Sequence, residues 1–301
     1  MILCCGEALI DMLPRETAAG EACFAPHAGG AVFNTAIALG RLGAPVQFFS
    51  GLSSDLFGTI LRDQLAASGV DASPAAISDR PTTLAFVTLT NGHASYAFYD
   101  ESTAGRMLTP ADLPDTQAEA LFFGGISLVV EPCAAAYETL MLREAPRAVT
   151  MIDPNIRPGF IKDEPAYRAR LDRMLAVADI IKISDEDLAW ISGDTDAAAL
   201  RAKTGAAVVL LTRGADGVTV VTAAGNFDVP AVKATVVDTV GAGDTFSAGF
   251  LANLDAQGLL TKAALATADR DALTAATAFG ARVAAITVSR AGANPPWASE
   301  L

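Results

Sequence analysis

The chain has 301 residues, 51% of them hydrophobic and 18% charged, with a formal net charge of −13 from 21 Lys and Arg against 34 Asp and Glu. That apolar share fills a sizeable core and argues against disorder, while the acidic balance disfavours nucleic acid and anionic lipid as partners. Glu7 and Asp11 interrupt the first apolar run and no basic leader precedes it, so neither a signal segment nor a membrane span is expected.

Along the chain, apolar runs of strand length alternate with longer segments of helical period. This is the pattern of a doubly wound, mostly parallel α/β sheet flanked by helices. The spacing predicts strand 2–5, helix 32–42, strand 46–50 and helix 55–68. It continues with strand 120–124, helix 133–144, strand 148–152, helix 164–177 and strand 179–183. Helices 185–192 and 195–203, strand 207–212, helix 243–256 and a long helix 262–286 complete the set. The last is Ala-rich, but Lys262, Asp269, Arg270, Asp271 and Arg282 mark it as a packed surface helix.

One stretch breaks the rhythm. Residues 82–90 and 94–99 are rich in β-branched and aromatic types, with Asn91-Gly92 between them, a strong signal for a hairpin with a type I′ turn. With the polar, extended stretch before it, the expectation is one domain over 1–301 carrying a small β-sheet lid from about 12–27 and 81–104. The hairpin's exposed edge also allows a homodimer through the lid.

Four cysteines (Cys4, Cys5, Cys23, Cys133) form no CxxC pair and read as buried free thiols of a reducing, cytoplasmic compartment. Two histidines, His27 and His93, make no zinc-binding spacing. No GxxxxGK[ST] or GxGxxG string occurs, which excludes a P-loop and a dinucleotide fingerprint.

The most informative string is Asp238-Thr239-Val240-Gly241-Ala242-Gly243-Asp244-Thr245-Phe246-Ser247-Ala248-Gly249-Phe250. Small residues ahead of a helix let the backbone approach a ligand, and the helix start offers unpaired N–H groups, so the two together cradle phosphate oxygens. The same field is expected to favour ionised Asp244, which beside such a cradle can take a proton from an attacking hydroxyl. Alone, Gly-Ala-Gly-Asp also reads as an ordinary capped turn. A second string, Gly29-Gly30-Ala31-Val32-Phe33-Asn34, again feeds a glycine pair into a helix, with Asn34 able to donate to and accept from a polyol.

Together these strings resemble the C- and N-terminal signatures of the ribokinase (PfkB) family of carbohydrate kinases. The resemblance covers nearly the whole chain and is closest to the fructokinase branch, notably in GEALIDML, FFSGLSSDLFG and SYAFYDESTAGRML. One departure is Ser53, where the signature carries glycine. The resemblance implies a ribokinase-like fold and transfer of phosphate from ATP to a sugar hydroxyl. It makes Asp244 the base, Gly241, Ala242 and Gly243 the anion hole, and Asp11, Gly29, Gly30 and Asn34 the sugar site. Asp11 is expected at the end of the first strand, facing the cleft. Asp153-Pro154-Asn155-Ile156-Arg157 looks like the family's DxNxR stretch, in which Arg157 would neutralise phosphate charge.

On the nucleotide side the resemblance implies Lys182 and Ser184, with Thr212, Gly214 and Gly217 of a TxGxxG loop. Ser184 and Asp187 replace the Asn and Glu of the family's NxxE motif, which leaves Asp187 to reach magnesium through water. Asp238 resembles the position that helps hold a monovalent cation, so potassium dependence is an expectation. The acceptor expected is D-fructose, because Asp100 after Tyr99 would repel an acid sugar. Alternatives are 2-keto-3-deoxygluconate, a nucleoside or aminoimidazole riboside. A non-catalytic sugar-binding relative would have lost Asp244 or the Gly-Ala-Gly stretch.

Overall fold

Successive residues of a strand face opposite sides of its sheet, so a strand buried on both faces feeds two separate cores. In the computed structural model, which describes residues 1–90 and 93–301, the first strand behaves this way. Ile2 and Cys4 enter one apolar cluster, Leu3 and Cys5 the other.

The first elements are β1 (Ile2–Cys5), β2 (Leu9–Glu16), β3 (Ala22–Gly29), α1 (Ala31–Arg41), β4 (Val46–Phe49), β5 (Gly51–Ser53) and α2 (Leu56–Ala67). Then come β6 (Ala76–Ser78), β7 (Leu84–Thr90), β8 (His93–Tyr99), β9 (Ala120–Gly124), α3 (Cys133–Glu144), β10 (Val149–Asp153) and α4 (Glu164–Leu175). The rest are β11 (Ile180–Ser184), α5 (Asp185–Ser192), α6 (Ala197–Thr204), β12 (Val208–Thr212), β13 (Val218–Thr222), β14 (Gly225–Val229), α7 (Ala242–Ala256), α8 (Lys262–Ala266) and α9 (Arg270–Val288).

An eight-stranded sheet runs in the order β14-β13-β12-β11-β10-β9-β1-β4. It is parallel from β4 through β12, and β13 and β14 close one edge antiparallel. Residues of α1, α2 and α7–α9 build the cluster on one face, and residues of α3–α6 the cluster on the other. Because β1 lies between β4 and β9, the chain leaves it in one direction and returns on its other side. Such a crossing opens a crevice at the carboxyl ends of the parallel strands.

A second sheet, β3-β2-β7-β8, stands apart from the first. Strand β2 pairs antiparallel with β3 and parallel with β7, and β7 pairs antiparallel with β8. This corrects one expectation: Asp11 sits not at the end of β1 but within β2, paired with His27 of β3 and Ala85 of β7. The chain turns sharply after Cys5 at Gly6 and Glu7, so the carboxylate is carried by the small sheet. The Asn91-Gly92 turn expected between β7 and β8 lies outside the described residues.

Periodicity also overlooked the short strands β5 and β6 and the hairpin β13–β14. The expected helix 262–286 is divided: Asp269 accepts from the amide of Ala272 at 2.8 Å and starts a new helix, α9. Helix α9 is the helix, among the described residues, long and apolar enough to cross a bilayer. Here it buries Leu273, Ala276, Gly280 and Val283.

Candidate active site

Helix α7 begins where Gly241 takes a left-handed conformation with φ of 78°, which an L side chain rarely adopts. A side chain there would also press on Ala293, 2.6 Å from the position a Cβ would take. The turn delivers Asp244 into the first turn of α7, 8% exposed, beside the first-turn amides that no helix can satisfy internally. Of the three expected anion-hole amides, that of Ala242 donates to the carbonyl of Thr239 at 3.3 Å, which leaves Gly241 and Gly243 better placed to receive a phosphate oxygen.

Asp244 is held from across the chain. Asn34, in the first turn of α1, donates its Nδ2 to Asp244 Oδ2 at 2.9 Å, and the Thr35 hydroxyl donates to the Asp244 carbonyl at 3.2 Å. The expectation that the helix field keeps this carboxyl readily ionised needs correction. Burial dominates and pushes it from 3.8 up to about 7, while the Asn34 hydrogen bond pulls the other way. A group balanced near neutrality is what proton transfer at physiological pH requires.

A cavity of about 330 Å³ opens beside this turn. Asp11, Gly30, Asn34, Arg157, Lys182 and residues 241–244 all line it. Leu9, Ile126 and Phe98 supply apolar wall, and Asn155 joins them from a positive φ of 45°. Asp11 reaches in from β2, and burial raises its carboxyl to about 6. Gly29 does not line the cavity; a Cβ there would collide with the Asp11 carboxylate, so glycine keeps that carboxylate in place.

Two features escaped sequence reasoning. Glu7 lines the cavity and accepts from the amide of Ala31, the first residue of α1, at 2.8 Å and from that of Ser127 at 3.3 Å. It thereby caps a helix whose own N-cap, Gly30, has no side chain to offer. Burial raises its carboxyl despite those hydrogen bonds. An acid interrupting the first apolar run was the available signal. The second is the ion pair between Lys182 Nζ and Asp153 Oδ2 at 2.8 Å, with the two residues 5% and 2% exposed. Burial disfavours the Lys182 ammonium, but Asp153, with Asp244 and Asp187 behind it, outweighs that and raises its pKa. Its Nζ lies 2.9 Å from where a Cβ on Gly243 would be.

Other expected residues lie outside the cavity lining. Ser184 caps α5, accepting from the amide of Asp187 at 3.0 Å. Asp187 is itself nearly buried and accepts from the amide of Ile156 at 3.1 Å. Thr212, Gly214 and Gly217 form the connection from β12 to β13. Asp238 spends both oxygens on backbone amides, those of Val240 at 3.0 Å and Gly292 at 2.9 Å. Asp100 must be corrected: it is buried, paired with Arg106 at 3.0 Å, and faces a smaller cavity behind Glu7. It is not among the residues that line the larger cavity. The carboxylates that line that cavity are Glu7, Asp11 and Asp244.

The model of the pfkB family carbohydrate kinases matches residues 1–300. A fructokinase of Rhizobium leguminosarum bv. trifolii is 59% identical over 278 residues, which span 91% of this chain and 85% of the relative. Among solved structures, a fructokinase with bound ATP from Xylella fastidiosa is similar at a TM-score of 0.89 and 32% identity, covering 97% of this chain and 93% of that one. An aminoimidazole riboside kinase of Salmonella enterica, complexed with aminoimidazole riboside and an ATP analogue, follows at a TM-score of 0.84 and 26% identity, with 97% and 94% covered. With the family's model running from the first strand to the C-terminal helices, and a buried aspartate at the Gly-Ala-Gly turn, the chain belongs to the pfkB family of carbohydrate kinases.

Proposed function

We propose that the chain transfers the γ-phosphoryl group of ATP to a hydroxyl of D-fructose, giving fructose 6-phosphate. The observation that carries this reading is Asp244: a buried carboxyl balanced near neutrality, aligned by Asn34, on the wall of a polar cavity at a helix start. The sugar lies between Asp11 of the small sheet and Gly30 and Asn34 at the head of α1. Three carboxyls around that end of the cavity favour a neutral polyol over an acid sugar.

The mechanism follows from the placement of donors and acceptors. Asp244 takes the proton of the primary hydroxyl as its oxygen attacks the γ-phosphorus in line. The amides of Gly241 and Gly243, with Lys182 beneath them, receive the charge shifted onto the phosphate oxygens, and Arg157 adds a second cation. The nucleotide runs from there toward Ser184 and the Thr212–Gly217 connection. The small sheet acts as a lid, excluding water and so suppressing ATP hydrolysis. Its edge strands β3 and β8, with Phe24 44% and Tyr99 62% exposed, suit a homodimer through the lid.

Among the described residues no group of three or more His, Cys, Asp or Glu side chains converges on a metal position. The donor set therefore suits magnesium that arrives with ATP, with Asp187 behind a bridging water. When bound, it would neutralise the β- and γ-phosphates. A monovalent cation near Asp238 would have to share oxygens that already accept from Val240 and Gly292.

ADP release coupled to a panel of fructose, 2-keto-3-deoxygluconate, aminoimidazole riboside and adenosine tests the reading. Fructose should give the highest kcat/KM. A higher value with any other acceptor replaces fructose, and no release with any of them removes the kinase.

A further inference from the structure

We infer that Arg41, remote from the chemistry on the last turn of α1, is a positioning residue that holds the anion hole in shape through the C-terminal tail. The inference rests on the kinase reading. The tail after α9 folds back across the mouth of the Gly241 turn. Ala293 lies where a side chain on Gly241 would have to go, so the tail forms the outer wall of that turn. Asp238, just ahead of the turn, accepts from the amide of Gly292 at 2.9 Å and ties the two segments together.

Arg41 holds the tail from the other side. Its Nη1 donates to Asn294 Oδ1 at 2.8 Å and to the carbonyl of Pro295 at 2.9 Å, and its guanidinium lies 5.2 Å from the ring centroid of Trp297. A planar guanidinium can bind two acceptors and stack at once, whereas an ammonium cannot reproduce all three contacts. Helix α1 therefore acts at both ends: Asn34 near its start aligns the base, and Arg41 at its finish braces the amides opposite that base.

The geometry has a kinetic consequence. Freed of Arg41, the tail gives Ala293 room to retreat, and the Gly241 amide is no longer confined to one direction. An amide misplaced by a fraction of an ångström loses transition-state stabilisation while leaving the sugar's ground-state contacts alone. The acceptor's proposed contacts are Asp11, Gly30 and Asn34, and no residue of the tail joins them in lining the cavity.

The test compares the parent with Arg41→Met, Arg41→Lys and Asn294→Ala. Steady-state assays give kcat and the fructose KM; calorimetry gives affinities for ADP and for a non-hydrolysable ATP analogue. Arg41→Met should lower kcat roughly 10- to 100-fold and leave the fructose KM within about threefold. It should also shrink the affinity gained by the analogue over ADP, since the γ-phosphate is what the hole holds. Arg41→Lys and Asn294→Ala should fall between. A kcat within twofold of the parent overturns the inference, as does an unchanged affinity gain in a folded variant. If Arg41→Met does not fold, Asn294→Ala carries the same two criteria. The calorimetric arm reads the hole whatever the acceptor, so a parent silent on fructose would count against the proposed substrate and not against this role of Arg41.

Discussion

Replacing Asp244 by Asn should make the protein inactive and more stable, and the gain in stability should depend on pH. The carboxyl is carried from 3.8 to about 7 by burial. A folded pKa above the unfolded one means that the native state holds its proton more tightly. The group's favourable contribution is therefore complete below about pH 4 and is lost as pH rises through about 7. At 1.36 kcal/mol per pH unit, a gap of about three units makes the ionised form cost the apo fold ~4 kcal/mol at pH 8. An amide has no such cost, and its oxygen can still accept from Asn34. The Asn34 hydrogen bond is already contained in that net shift, so nothing further is subtracted for it. The expectation for Asp244→Asn is therefore ~4 kcal/mol of added stability at pH 8, or roughly 8–16 °C in Tm. The gain should shrink below ~1 kcal/mol by pH 4. Turnover should fall at least ~100-fold for want of a base. Scanning calorimetry of both proteins without nucleotide, at pH 4.5, 6 and 8, reads the first quantity, and coupled ADP release reads the second. A Tm difference that stays constant with pH, or grows as pH falls, would refute the burial argument; activity above a tenth of the parent would remove Asp244 as base.

In the parent, kcat/KM for the acceptor should rise with pH through about 7 as Asp244 ionises, seen in a pH–rate profile. Lys182→Met leaves Asp153 charged and unpaired in the interior and should cost ~3–5 kcal/mol; adding Asp153→Asn should restore most of the stability and none of the activity, read by urea unfolding and turnover. Gly29→Ala drives a methyl group into the Asp11 carboxylate and should raise the sugar KM about tenfold with little change in the ATP KM, measured by steady-state kinetics. Activity should be higher in potassium than in tetramethylammonium buffer if a cation binds near Asp238, and equal rates would discard that site.

Much of the fold was legible because its signals are local. The strand–helix alternation follows from two periodicities that any short window displays, and the strands of the large sheet from β1 to β12 lie where those windows put them. The misses share a cause. Strands β5 and β6 are three residues long, too short to display a period, and β14, which completes the hairpin with β13, is mostly exposed, so pairing rather than pattern creates them. The division of the last helix turned on one capping side chain, Asp269.

The candidate site divides along the same line. Chain order alone determined that small residues precede Asp244 and that a glycine pair precedes Asn34, because backbone freedom and helix starts are properties of neighbours in sequence. Tertiary structure decided what surrounds them. It brought Asn34 onto Asp244 across 210 residues, seated Lys182 on Asp153, set Glu7 over the start of α1, placed Asp11 on the small sheet and turned Asp100 inward onto Arg106. Charges and pKa values depend on burial and on partners, and both exist only once distant segments are packed together.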